Sequence, residues 1–215
     1  MVNIEEYILK KYNLEVGKQY IVQTPIVGGV GLAELFAELG FKGGVEIGTD
    51  QGEYAEVLSK TIPNLKLYCV DPWKAEAYEP AEQPESRETQ GFFDSRHEEA
   101  YERLKQFENV HLITDTSMGA LDRFEDNSLD FVYIDGNHDF LNVTQDIHYW
   151  YKKVRPGGIL AGHDYVRYPS RKFNHVQKVV NAYMSSYHLL PVFLTMPTDQ
   201  GLKRDRFRSW FYCKK

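Results

Sequence analysis

Five short stretches carry the side chains with chemical potential, and each ends or follows an apolar run. "VEIGTDQGE" (45–53) sets Gly48 and Gly52 among Glu46, Asp50 and Glu53. "LYCVD" ends on Asp71, "ITDTS" on Asp115, Thr116 and Ser117, "YIDGNH" on Asp135 and His138, and "AGHD" on His163 and Asp164. Glycines let a ligand approach the backbone closely. Carboxylates and imidazoles brought together can move protons near neutral pH or hold a divalent cation.

The acids narrow the ligand. A pyrophosphate bound at a helix N-terminus is a dianion, and Glu46, Asp50 and Glu53 would surround it with like charge. S-adenosylmethionine offers an ammonium and a sulfonium beside one carboxylate, so acidic neighbours suit it. Asp71, 23 residues after Gly48, has the position of a carboxylate that accepts hydrogen bonds from ribose hydroxyls, or simply of a turn-forming Asp before Pro72. A second glycine stretch, "GVGLAE" (29–34), partly matches G-x-G-x-x-G, with Glu46 at a suitable distance for a ribose contact. It lacks the third glycine, and Thr24-Pro25 interrupts the apolar run before it, so it is expected to be a loop leading into a helix.

The elements that must position these residues alternate between short apolar runs and helical patterns, which predicts a parallel sheet covered on both faces. Leu32, Leu35, Phe36 and Leu39 share one helical face, and Gly40 stops that helix. Strands are expected at "GVEIG", "KLYCVDPW", "VHLITD", "LDFVYIDGNH" and "ILAGHDY", with helices over 51–61, 96–107 and 140–154 and around Val176–Tyr183. "RPGG" (155–158) reads as the turn into the fifth of these strands. Residues 74–95 form a charged, proline-containing excursion of the kind used as a lid or substrate loop. The late runs "YHLLPVFLT" and "SWFYCKK" are joined without a helix and should pair antiparallel. The basic loop between them, "TDQGLKRDRFRS", concentrates Lys203, Arg204, Arg206 and Arg208, which could attract an acidic acceptor; it is expected rather to be a solvated hairpin tip. In such a sheet, ligands bind beyond the carboxyl ends of the strands, so the five polar stretches should share one rim.

With 42% hydrophobic and 14% aromatic residues over 215 positions, the chain can bury one sizeable core. A net charge of −6 argues against general nucleic-acid binding. No run approaches a membrane span and the N-terminus lacks a signal pattern, so a cytoplasmic protein is expected. Cys69 and Cys213 fit a reducing compartment, with Cys69 in the core.

Taken together, "VEIGTDQGEYA", "LYCVDPW", "ITDTS", "LDFVYIDGNHDF", "VRPGGILAGHDY" and the terminal hairpin resemble class I S-adenosylmethionine-dependent methyltransferases, in particular the methyltransferase domain 24 family. The likeness covers 30–215, leaving 1–29 as an N-terminal extension packing on or beside the core. It implies a Rossmann-like, seven-stranded, mostly parallel α/β sheet with an antiparallel C-terminal strand. It also implies that Glu46, Gly48, Asp50 and Gly52 hold the methionine end of the cofactor, Asp71 the ribose, Asp115, Thr116 and Ser117 the adenine, and that Asp135 lies nearest the methyl group. Asp50 stands where the fuller E-x-G-x-G-x-G pattern has glycine.

Methyl transfer to a hydroxyl of a small-molecule acceptor needs that hydroxyl's proton removed. Either Asp135, His163 and Asp164 bind a divalent cation that acidifies it, as related small-molecule O-methyltransferases do, or His138 or His163 acts as a metal-free base. Acceptor contacts are expected from 74–95, from Tyr165–Arg171 and from Thr198–Arg208, with Trp73, Tyr78, Phe92 and Phe93 as core or pocket wall. The rival readings are a nicotinamide-dependent oxidoreductase using the Gly29 loop, and a regulatory protein that binds the cofactor without turnover. A homo-oligomer stays open.

Overall fold

Successive side chains of a strand point to opposite faces of its sheet, and the apolar runs divide accordingly. In the central strand Leu129–Ile134, Phe131 and Tyr133 enter one buried cluster, with Leu32, Phe36, Tyr54 and Leu58, while Val132 and Ile134 enter another, with Val143, Trp150, Val179 and Trp210. Helices cover both faces because both are apolar. The computed structural model describes residues 3–18, 20–77, 88–167 and 174–215.

The elements in chain order are α1 (Ile4–Lys11), β1 (Ile21–Val27), α2 (Gly28–Glu38), β2 (Gly43–Ile47), α3 (Glu53–Thr61), β3 (Lys66–Asp71) and α4 (Gln90–Leu104). They continue with β4 (Val110–Thr114), β5 (Leu129–Ile134), α5 (Phe140–Lys153), β6 (Val154–Gly162), α6 (Val176–Ser186), β7 (Val192–Met196) and β8 (Trp210–Cys213). One eight-stranded sheet runs β1-β7-β8-β6-β5-β2-β3-β4. β8 is antiparallel to both β6 and β7, as the late hairpin required, and the other pairings are parallel.

The expected seven strands become eight because Ile21–Val27 joins the sheet despite Pro25. β1 is an edge strand paired only with β7, its register shifts between Gln23 and Val27, and a proline without an N–H is tolerated there. Val22, Thr24 and Ile26 turn inward and their neighbours outward. Ile4 and Ile8 of α1 pack into the same cluster as Leu32 and Phe36. "RPGG" lies inside β6, at a register shift between the Leu129–Val154 and Phe131–Ile159 pairs, rather than before the strand. α4 begins at Gln90, so the 74–95 excursion ends earlier than expected; residues 78–87, including Tyr78, lie outside the described residues. Both cysteines are buried and free. Among the described residues, no helix is long and apolar enough to cross a membrane.

The start of α2 has no cap from its own N-cap residue, Val27. Instead, the Gly29 N–H donates to Asp205 Oδ1 at 2.9 Å, from the loop between β7 and β8, and Thr198 N–H donates to the Asp205 carbonyl at 2.7 Å. Asp205 is buried, so its carboxylate complements the positive end of the helix without competition from water. Asp205→Ala leaves the Gly29 donor unsatisfied and should lower unfolding free energy by about 1–3 kcal/mol in urea titrations. An unchanged midpoint would show that the loop does not hold the helix start.

Candidate functional site

The sheet's hydrogen bonding continues beyond the strands into the polar stretches. Gly48 N–H donates to Val70 O (2.8 Å), Asp115 N–H to Asp71 O (3.2 Å), Asp135 N–H to Ile47 O (2.7 Å) and His163 N–H to Ile134 O (2.9 Å). Residues from each of the five expected stretches therefore leave one sheet edge at fixed heights. The chain order reverses between β2 and β5, which is where a crevice opens in an open α/β sheet.

Two adjoining cavities, of about 280 and 270 Å³, occupy that crevice and share Gly48, Asp71 and Gly136. The first is walled by Tyr54, Trp73, Phe92 and Phe93 and carries Asp135, His138, Arg96 and Arg204. The second lies between the ends of β2, β3 and β4 and is lined by Thr116, Ser117, Met118, Asn142 and Asp146. Trp73 and Phe93 also form a small buried cluster with Ala100, so they serve as both core and pocket wall.

The loop after β2 takes the shape its glycine pattern demands. Gly48 has φ 84° and Gly52 φ 74°; a Cβ on Gly48 would lie 2.2 Å from Asp135 O, so only glycine fits where the β2 and β5 loops touch. Asp50, in place of a glycine, also adopts a left-handed φ of 48°, which Asp tolerates better than most residues. Its carboxylate turns outward to Arg96 at 2.9 Å. Asp71 is buried: Oδ2 accepts from Asp50 N–H and Oδ1 from Trp73 N–H, both at 2.9 Å. Its carboxylate thus shapes the loop while facing both cavities.

Of the three residues expected around adenine, Thr116 and Ser117 line the second cavity, whereas Asp115 turns back on its own loop and accepts from Thr116 N–H at 2.8 Å. Asp146, on α5, was missed from sequence. It is buried in that cavity wall and accepts a short hydrogen bond from the Ser117 hydroxyl, which in turn accepts from Trp150 Nε1 at 2.8 Å. Burial lifts Asp146 to about 7, against the lowering effect of Ser117.

At the other end, Asp135 is the hub. Arg204 Nη2 lies 2.5 Å from Asp135 Oδ2, while Oδ1 faces His163 Nδ1 at 3.6 Å and His138 Nε2 at 3.7 Å. Asp164, held at φ 55°, reaches His138 Nε2 at 3.0 Å and His163 Nδ1 at 3.6 Å. His163 is 3% exposed and does not line the cavity; His138 does. The ligand atoms within 4.8 Å of one another belong to Asp135, His138 and Asp164, so His138 takes the place expected for His163 in that set.

Arg204 corrects the picture of a solvated hairpin tip. It sits on a 3₁₀ turn (Lys203–Arg206), its side chain only 16% exposed, bonded to the Tyr133 hydroxyl at 3.0 Å and lying over the Tyr54 and Tyr133 rings. Arg206, by contrast, is exposed and pairs with Asp199. Residues 168–171 of the expected acceptor segment lie outside the described residues.

Charge in this region follows from burial and neighbours. Burial lifts Glu46 to about 8 although Arg204 opposes the shift, and Glu46 Oε2 has no hydrogen-bond partner among the described residues. Burial and Arg204 both disfavour charge on His163, yet Asp135 and Asp164 outweigh them and lift it to about 9. His138 is raised as well: burial opposes its charge, and Asp135 and Asp164 overcome it. Burial works against the Asp135 charge too, but Arg204 and the imidazoles hold its carboxyl far below the usual range.

Glu46, Asp146 and His163 all bind protons more tightly folded than unfolded. Their contribution to stability is therefore complete below their unfolded values and is lost as pH rises through the folded ones. Asp135 stays charged throughout that window and adds no slope. The thermal midpoint should fall between pH 5 and pH 9, and Glu46→Gln should flatten the fall up to about pH 8. A midpoint that rises over this range would contradict the assignment.

The reversed strand order, the glycine loop after β2 and the antiparallel β8 define a class I methyltransferase fold. Residues 45–165, more than half of the chain, match the methyltransferase domain family Methyltransf_24, and the chain belongs to that family. It is similar in structure to the O-methyltransferase TomG of Streptomyces achromogenes, involved in tomaymycin synthesis and solved with S-adenosylmethionine (16% identity, TM-score 0.61, covering 100% of this chain and 91% of that one). The O-methyltransferase of Bacillus cereus, solved with S-adenosylhomocysteine, aligns similarly (17%, TM-score 0.59, 100% and 92%), as does an rRNA methylase of Streptococcus thermophilus (16%, TM-score 0.57, 86% and 96%). In sequence, the chain is 26% identical over 129 residues to the uncharacterized protein y4gI of Sinorhizobium fredii; the match spans 56% of this chain and 13% of that protein.

Proposed function

We propose that the protein transfers a methyl group from S-adenosylmethionine to a hydroxyl oxygen of a small-molecule acceptor. The observation that carries this reading is the pair of cavities meeting at Gly48, Asp71 and Gly136, with a proton-accepting group at one end. The residues fit the cofactor. Gly48 lets the β2 and β5 loops close together where the two cavities meet, Asp71 keeps lone pairs for ribose hydroxyls, and Thr116, Ser117 and Asp146 line the space beside them for adenine. Asp50 lines the first cavity and would lie beside the methionine end, with Asp135 nearest the methyl group, whereas Glu46 and Gly52 lie behind the loop and line neither cavity. When bound, S-adenosylmethionine supplies a methyl carbon already activated on sulfonium.

The protein then has to align the acceptor, exclude water and take one proton. Tyr54, Trp73, Phe92 and Phe93 offer apolar walls for a ring or chain. His138 sets Nε2 at 3.0 Å from Asp164 without an aligned hydrogen bond; assigning the ring proton to Nε2, beside the acids, puts the lone pair on Nδ1. The acceptor proton goes to Nδ1, and Asp164 steadies the imidazolium that results. His163, behind Asp135 and away from the cavity, positions Asp135. The TomG and Bacillus cereus structures support oxygen as the acceptor atom. The net charge of −6 disfavours a polyanionic acceptor such as the RNA named for the Streptococcus thermophilus relative. Asp205, already at the α2 N-terminus, takes the place a pyrophosphate would need there, so the Gly29 loop does not support nicotinamide dinucleotide binding.

Calorimetric titration with S-adenosylhomocysteine should show binding, and Asp71→Ala should weaken it by about 1–3 kcal/mol. No detectable binding would sink the reading. With an accepted phenol, kcat/KM should rise with pH along a limb centred above 6.5, because His138 must be neutral and its value is raised. His138→Gln should remove that limb and lower kcat by roughly 10²–10⁴-fold.

A further inference from the structure

Asp135, His138 and Asp164 are spaced as metal ligands, but the neighbouring charge does not suit a divalent cation. Asp135 Oδ2 already lies 2.5 Å from Arg204, whose guanidinium does not deprotonate in proteins. Nor is Arg204 free to swing away. Nη2 also donates to the Tyr133 hydroxyl, the guanidinium lies over two tyrosine rings, and the backbone is pinned one residue later where Asp205 receives the Gly29 and Thr198 amides. A metal on Asp135 would share its carboxylate with a fixed cation on a cavity wall that is largely shielded from water, where like charges repel more strongly than in bulk solvent.

We infer that Arg204 takes the place of the divalent cation: it neutralises Asp135, keeps the Asp135–His138–Asp164 group from loading a metal, and presents a positive charge to the acceptor's oxygen. Only the last part rests on the methyl-transfer reading. The arrangement suits an acceptor with an anionic or strongly hydrogen-bonding group next to its reacting hydroxyl. Arg204 is reachable there because it lines the same cavity as His138 and the aromatic wall.

The test is manganese binding, followed by paramagnetic resonance and calorimetry on the full chain with saturating S-adenosylhomocysteine. The wild-type protein should take up no manganese at submillimolar concentrations. Arg204→Met should bind it roughly tenfold or more tightly than wild type, reflecting removal of one adjacent charge, and Asp164→Asn in that background should abolish the gain. Arg204→Lys, which keeps the charge, should stay metal-free; Arg204→Gln gives a second neutral variant if the Met variant unfolds. Stoichiometric manganese on the wild-type protein, lost in Asp164→Asn, overturns the inference. So does a folded neutral variant that gains nothing. Failure of S-adenosylhomocysteine to bind counts against the methyl-transfer reading and leaves the manganese comparison intact.

Discussion

The contact between Asp135 and Arg204 ties together parts of the chain that secondary structure alone would leave independent. Burying an ion pair is expensive, and it persists only where further hydrogen bonds and packing compensate. Here the compensation is visible. Asp135 is fixed through its own amide to the end of β2, and Arg204 lies over the contacting rings of Tyr54 and Tyr133, which rise from α3 and β5. The pair therefore joins the centre of the sheet to the β7–β8 loop. Through the adjacent Asp205, the same loop caps α2. Removing either charge would strand the other, so cleft geometry and loop position are coupled.

That coupling explains how the cleft tolerates so many acids. Asp50 leans out to Arg96, Asp71 spends one lone pair of each oxygen on loop amides, and Asp135 is matched by Arg204. Glu46, shielded from water and only partly helped by Arg204, favours its neutral form. What faces the cavities is thus a patterned set of acceptors rather than a diffuse negative field.

Much of this was legible in the residues, and the gaps have physical causes. Strand ends could be located because an apolar run followed by Asp or Gly is a local signal, and Asp71, Asp135, His138 and His163 fell where that signal placed them. Asp50 in a glycine position was legible as a departure; its left-handed φ shows that the loop kept its shape. Arg204 was not legible, because its direction depends on Asp205 meeting Gly29 across 176 positions of chain, whereas its neighbours in sequence read simply as basic and exposed. β1 was obscured by Pro25, a local veto that edge placement lifts. Asp146 hid within a helix whose apolar spacing is satisfied without it, and only the fold brings Ser117 against it.

β8 lies between β6 and β7, while β1 touches only β7. A nascent chain emerging from the ribosome can pair β2 through β6 as those strands appear, but the sheet stays split until Trp210–Cys213 slides into its slot. Ile21–Val27 in turn has to wait for Val192–Met196. Until then its inward apolar side chains, Val22 and Ile26, have no neighbouring strand to cover them, which leaves an open edge available for wrong pairing.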